Sequence, residues 1–440
     1  MTTGPVNKIV WIKKQWHLQS NPFPAQGIAL LGGDDLRENG LLFDPSVQDD
    51  KFGEAVEKFA LGAAYSGLKF GFLWSLSTGI GADARGFGKS SLMQYLTEYI
   101  NEDFGRKAFI DTGLDASDAD EHPMCSMLAS FDMAHVRSLH AVFFAAVEYA
   151  CRFNRPGKPS LVERLHERIT QRLGTTDADV VQQTVDQIQL GMRGRTVGPP
   201  VPDFLALLCA GDHDGLRRHV NQVKPASRAR NGASYLATLL IYIKAAGIPH
   251  VLLCCDQLED FAATTTTKQK RVLEIERFRD YMLEIQPMAD MLSTVVTMHP
   301  RAVPAIAEMW QLADLPSYEH DRQENRQRVV VLDKIHSAER TERLLRQYLD
   351  GFRSVSGGTD TDPLSPFTKD AIQVIFTRSD GKPRDILRKA NSLIERGAEE
   401  NWTEISAERA AEVLDSFVDD DGDDLLGSAA TVPGDVDWTR

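Results

Sequence analysis

The 440-residue chain has no apolar run approaching the roughly 20 residues that cross a bilayer, which excludes a helical membrane span. Its first residues, MTTGPVNKIVWIKK, lack the apolar segment and small-residue cleavage site of a secretory leader, so the expected location is the cytoplasm. Cysteine is scarce. Cys125, Cys151, Cys209, Cys254 and Cys255 stand singly or adjacent, without the C-x-x-C spacing of a zinc or dithiol site, and read as small buried hydrophobes. A basic excess is missing too: 49 Lys and Arg face 63 Asp and Glu, for a net charge of −14. Residues 416–440 hold seven Asp and one Arg, which leaves the rest near −8 and gives no charge-driven reason to bind nucleic acid. Internal repeats and heptad runs are absent.

Against these absences stands the stretch Phe70 to Ser91, FGFLWSLSTGIGADARGFGKSS. Phe70 to Ser77 is apolar and β-favouring, Gly79, Gly81, Gly86 and Gly88 supply a turn, and Ser90-Ser91-Leu92-Met93 opens a helical pattern. A helix start beside open backbone attracts phosphate, because its unpaired N–H groups and positive end favour an anion and glycines let the backbone approach. Gly86, Phe87, Gly88, Lys89, Ser90 and Ser91 form the expected cradle, with Lys89 neutralising the β- and γ-phosphates and the Ser90 hydroxyl on Mg²⁺. The full G-x-x-x-x-G-K-[ST] pattern wants glycine where this chain has Asp83; Gly81, two residues earlier, fits a longer loop.

A phosphate loop calls for an acidic residue at the end of a neighbouring buried strand, to hold the metal and order the attacking water. His250 to Cys255 is such an apolar run, and Asp256 follows it where the chain leaves the carboxyl edge of the sheet. The next residue is Gln257, an amide that orients water but cannot take its proton at neutral pH, and Glu259 lies two further on. Either Glu259 takes the role, or Gln257 orients the water and turnover is slow.

Along the chain, residues 1–50 read as an irregular strap whose Trp11, Trp16 and Phe23 pack on the main domain. A helix is expected from Asp50 to Leu68, another from Ser90 to Phe104, an extended piece at Lys107 to Asp111, a strand at Met127 to Phe131 and a helix at Val136 to Phe153. A polar, helical insertion spans about 157–230, followed by a helix at Tyr235 to Ala246 and a strand at Leu292 to Met298. Short uninterrupted apolar strands alternating with helices predict an α/β fold with a parallel sheet between two helical layers. The nucleotide-binding domain runs over 51–332 and ends on the strand Val329 to Leu332. An all-helical module covers 333–417, with helices at His336 to Phe352, Thr368 to Arg378, Pro383 to Gly397 and Ser406 to Phe417. Residues 418–440 are acidic, poor in large apolar residues and expected to be disordered.

These motifs resemble the P-loop ATPases of the AAA+ and related STAND groups. Gly86-Phe-Gly-Lys-Ser90 looks like their Walker A motif and Cys255-Asp256-Gln257-Leu258-Glu259 like a variant Walker B. The resemblance implies a P-loop NTPase fold with a helical lid, ATP and Mg²⁺ as cofactors, and a sensor residue on the strand Ser293 to His299, with Thr297 first and His299 second. Gly381-Lys-Pro-Arg384 is similar to the second sensor of origin-recognition-type lids, in which Pro383 opens the helix and Arg384 reaches the γ-phosphate. An arginine from a neighbouring subunit would come from Arg301, Arg322, Arg326 or Arg328. The resemblance further implies a homo-oligomeric ATPase that acts on DNA or a partner protein, in a bacterial defence or mobile-element system. A STAND-like signalling switch with a separate effector subunit, and a scaffold that binds ATP without turning it over, are the alternatives. None of the three calls for a membrane.

Overall fold

The computed structural model describes residues 7–26, 35–48, 50–75, 86–130, 138, 140–152, 157–256, 267–300, 303–354 and 362–416. In the first part of the chain the elements are α1 (Lys8–Gln15), α2 (Lys51–Ala55), a π-helical segment (Val56–Leu61), α3 (Gly62–Tyr65), β1 (Phe70–Ser75), α4 (Lys89–Glu102), α5 (Arg106–Asp111), α6 (Ala116–Glu121) and β2 (Met124–Ser130). There follow α7 (His140–Cys151), α8 (Leu161–Leu173), α9 (Ala178–Leu190), α10 (Pro202–Ala210), α11 (His213–Gln222), α12 (Pro225–Ala245) and β3 (His250–Asp256). The remainder comprises α13 (Lys268–Leu283), α14 (Met288–Met291), β4 (Leu292–Met298), α15 (Val303–Leu312), β5 (Val329–Leu332), α16 (Ala338–Gly351), α17 (Lys369–Arg378), α18 (Pro383–Glu399) and α19 (Ala407–Asp415).

The strands form one all-parallel sheet in the order β2-β3-β4-β1-β5. Side chains alternate across a strand, so each face of the sheet can be read from its register. Phe70 and Phe72 of β1 meet Phe278 of α13 and Trp310 of α15, and Thr294 of β4 donates to the Met282 sulfur on the same side. On the other face Gly71 lies under Phe59 of the π-helical segment, where an added Cβ would come within 2.7 Å of the ring, and Ser126 of β2 meets Thr97 of α4. A helical layer on each face makes a three-layer α/β/α architecture, as expected. No described helix is long and apolar enough to cross a membrane.

A second core belongs to the lid, where Leu345, Leu349, Ile372, Ile375, Ile386, Ala390, Leu393 and Ile394 pack together from α16, α17 and α18. The helical lid is therefore a structural unit with its own apolar interior. The N-terminal strap contributes Ile12, Trp16, Leu18, Phe23 and Val47 to that interior. Trp11, Trp16 and Phe23 thus pack on the lid, a correction to the expectation above, whereas Phe43 of the strap packs on the sheet domain. The Trp16 indole also donates to the Thr403 carbonyl and the Trp11 indole to that of Trp402, contacts that only the far end of the chain can supply.

Three local readings also change. The strap is not uniformly irregular, since Asn7 caps the helix α1 by accepting from the Ile9 N–H. Lys107 to Asp111 is helical, not extended: α5 buries Ala108 and Phe109 and leaves Ile110 partly exposed. The helix expected from Tyr235 begins ten residues earlier, at Pro225 in the first helical turn, and crosses position 230 without a break. The five cysteines are free and buried. Burial pushes the Cys254 thiol up to about 11 and those of Cys151 and Cys209 up to about 12, which keeps them neutral packing groups.

Candidate functional site

The site lies at the carboxyl edge of the sheet, where β1, β3 and β4 end side by side. Because β4 separates β1 from β3, its last residues stand between the strand that leads to the glycine turn and the strand that carries Asp256. Ser75, Asp256 and Thr297 share the strand parity of Gly71, Cys254 and Val295, so all three fall on the face covered by α4. That shared parity turns three residues distant in sequence into one polar cluster.

Gly88 is the N-cap of α4, with φ +89°, and Gly86 has φ +85°; both lie in the left-handed region that an L side chain rarely adopts. The turn between them aims the start of α4 at the sheet edge. Lys89 is nearly buried, 9% exposed, and its Nζ donates to Ser75 Oγ at 2.7 Å. Ser90 Oγ donates to Asp256 Oδ2 at 2.5 Å, and Thr297 Oγ1 donates to Asp256 Oδ1 at 2.9 Å. Asp256 is 3% exposed, so a buried carboxylate takes one hydroxyl on each oxygen. Phe87 is buried, and His299, one residue past β4, is buried as well.

The lid reaches this loop directly. The Arg384 N–H, in the first turn of α18, donates to the Gly86 carbonyl at 3.1 Å, and Arg384 Nε donates to the Gln26 carbonyl of the strap at 3.3 Å. An added Cβ on Gly86 would lie 2.5 Å from Arg384 Cβ. Helix starts leave several N–H groups unpaired, and here a loop carbonyl takes one of them. From the strap, Gln48 Nε2 donates to the Phe87 carbonyl at 2.5 Å. A cavity of about 600 Å³ opens near the strap, lined by Leu41, Leu42, Phe43, Tyr95 and Gln347 among others.

Of the residues expected from sequence, Gly86, Phe87, Gly88, Lys89, Ser90, Asp256, Thr297 and Arg384 are brought to one edge, and Ser91 lies beneath the strap at Gly40. Gln257, Glu259, Gly79, Gly81, Asp83, Arg301 and the tail 418–440 lie outside the described residues. Arg322 and Arg326 are exposed and Arg328 half-buried on the approach to β5, with Arg322 ion-paired to Glu319 and Glu324. Sequence reasoning missed Gln48 and Ser75, because a lone amide after a turn and a serine ending a strand carry no motif.

The donors that face the sheet edge are a hydroxyl and a carboxylate, both hard oxygen ligands, which fits Mg²⁺ chemistry. Among the described residues no three His, Cys, Asp or Glu side chains group as a metal site. Hence a cation here would need oxygens from a bound phosphate to complete its shell.

Comparison with protein-family models and with curated proteins gives no match. Among solved structures, the chain is similar to the ORC2 protein of Aeropyrum pernix in its ADP form, at 11% identity and a TM-score of 0.43, over 82% of this chain and 67% of that one. The ADPNP-ADP complexes of the same protein give 10% identity and a TM-score of 0.43, over 86% and 70% of the two chains.

Proposed function

We propose that this chain is an ATP-binding ATPase in which Gly86 to Ser91 cradle the phosphates, Ser90 and Asp256 hold Mg²⁺, and Arg384 closes the site from the lid. The observation that carries this reading is the buried Asp256 carboxylate, held by the Ser90 hydroxyl on one oxygen and the Thr297 hydroxyl on the other. Lys89 and the Ser90 hydroxyl at a helix start support the reading of an anion site, with the Asp256 carboxylate beside them for its cation.

The chemistry follows from these groups. Lys89 gives up Ser75 for the β- and γ-phosphates, exchanging a neutral partner for a charged one. Bound Mg²⁺ would neutralise phosphate charge and polarise the phosphoryl oxygens. Thr297 keeps Asp256 oriented, and Gln257 or Glu259 positions the attacking water. The Arg384 guanidinium supplies a forked permanent charge from the lid.

Nucleotide-dependent assembly with further copies of the chain, and action on a partner protein or DNA in a defence or mobile-element system, complete this reading. A second reading, a nucleotide-set switch with slow turnover, draws on the hydrogen bond from the Arg384 N–H to the Gly86 carbonyl. That bond ties the position of the lid to the phosphate loop before any chemistry takes place.

The test is ATP binding, ATP turnover and particle mass for wild type, Lys89→Ala, Glu259→Gln and Gln257→Ala, each with and without DNA. Unchanged binding in Lys89→Ala would reject the site. Turnover lost in Gln257→Ala but kept in Glu259→Gln assigns the water to Gln257. A rate and mass indifferent to DNA favours the switch acting on a protein partner.

A further inference from the structure

Gln48 ends the short turn Pro45–Val47 and is 7% exposed. One end of its amide is spent, since Nε2 donates to the Phe87 carbonyl at 2.5 Å. The other end is not: Oε1 is buried and accepts no hydrogen bond. Leaving a buried acceptor unpaired costs the whole desolvation penalty of the group, so such an atom calls for a donor.

The location narrows what that donor can be. The position of a Cβ on Gly88 would lie 3.2 Å from Gln48 Nε2, so the amide sits against the N-cap of α4. By standard amide dimensions Oε1 is only about 2.2 Å from that nitrogen. Phosphate oxygens are acceptors and cannot satisfy it. The N–H and O–H groups of a nucleoside can.

Packing also fixes the reader in place. Val47, just before Gln48, is buried in the lid core, and Phe43 is buried in the sheet-domain core. An amide pinned between two cores, with one hand on the phosphate loop, is preorganised for recognition.

We infer that Gln48 reads the nucleoside: its Oε1 accepts a hydrogen bond from the 6-amino group of adenine or from a ribose hydroxyl of the bound triphosphate. This rests on the proposal that Gly86 to Ser91 hold a nucleotide. A single side chain then links both ends of the ligand, Nε2 through the loop to the phosphates and Oε1 to the nucleoside.

The experiment compares equilibrium binding of ATP, purine riboside triphosphate (no 6-amino group), 2′-deoxy-ATP and 3′-deoxy-ATP to wild type, Gln48→Met and Gln48→Glu. Thermal melts of the nucleotide-free proteins check folding. In wild type, the analogue that lacks the right donor should bind about tenfold more weakly than ATP. That ratio should fall to about one in Gln48→Met, which has no acceptor left to strand. Gln48→Glu keeps an acceptor but sets a carboxylate against the Phe87 carbonyl and the phosphates, so it should weaken all four ligands and preserve the ratio.

Wild type binding all four within about twofold would overturn the inference. An undiminished ratio in Gln48→Met would overturn it as well. If wild type binds neither ATP nor any analogue, the phosphate-loop reading falls first and takes this one with it.

Discussion

Substituting Gly86 by alanine should release the lid from the glycine turn that precedes α4. The new Cβ would sit 2.5 Å from Arg384 Cβ and 2.9 Å from its Cδ. Arg384 Cβ is the root of a side chain on the first turn of α18 and cannot swing away, so either the helix or the loop must move. Three costs add up: about 1 kcal/mol for an alanine at φ +85°, about 1 kcal/mol for the hydrogen bond from the Arg384 N–H, and about 1–3 kcal/mol for the overlap. The sum, about 3–5 kcal/mol, is large against the stability of a single domain. Hydrogen exchange at the start of α18, read by mass spectrometry, should accelerate, and the urea midpoint should fall. In an Arg384→Gly background the overlap is gone, so the same substitution should cost only about 1 kcal/mol. Unchanged exchange in α18, or an equal cost in both backgrounds, would refute the argument.

Other outcomes follow from the same geometry. Thr297→Val removes one of the two hydroxyls that hold the buried Asp256 and should lower stability by about 1–3 kcal/mol; in a turnover assay kcat should drop more than ATP affinity, and equal losses would count against an orienting role. Arg168 and Arg172 of α8 donate to the Ala246 and Ala245 carbonyls at the end of α12, so the double change to methionine should cost about 1–2 kcal/mol by chemical denaturation. His140, His166, His213 and His250 are all held below the ordinary imidazole value, chiefly by burial. Each binds its proton more readily when unfolded, so the stability they contribute is full above pH ~6.5 and lost as pH falls through their lower folded values. Urea midpoints should therefore decline from pH 7.5 towards 5.5 (assay values on the order of the imidazole range), less steeply in His140→Gln; a flat profile would contradict the burial argument.

How legible the molecule was depended on the length scale of the signal. Buried parallel strands are continuous apolar runs, so Phe70–Ser75, His250–Asp256 and Leu292–Met298 stood out, and with them the edge that carries Asp256 and Thr297. Short helices have no room to display a period: α5 puts Ala108 and Phe109 inside within one turn, a pattern shared with a strand. The partnership of the strap with the lid joins Trp16 to Thr403, a contact that no local pattern encodes. The start of α12 was hidden because Ser227, Arg228, Arg230 and Asn231 look like a loop, while the apolar face begins only at Ala233. Gln48 carried no signal at all, since its significance arises from an acceptor left unpaired once the chain has folded.

Helix α12 has a mechanical consequence. Its 21 residues make a rod about 30 Å long. Its last turn is clamped by Arg168 and Arg172 and feeds into β3, while its first turns lie against α7, where Arg228 pairs with Glu148 and covers the Phe144 ring. Such a rod is a lever: a tilt of about 2° at the clamped end sweeps its far end by about 1 Å. Helices α9 and α10 pack on this rod, so whatever grips them holds a long handle on the helix that leads into the strand ending in Asp256; at the clamped end displacement is reduced and force is multiplied.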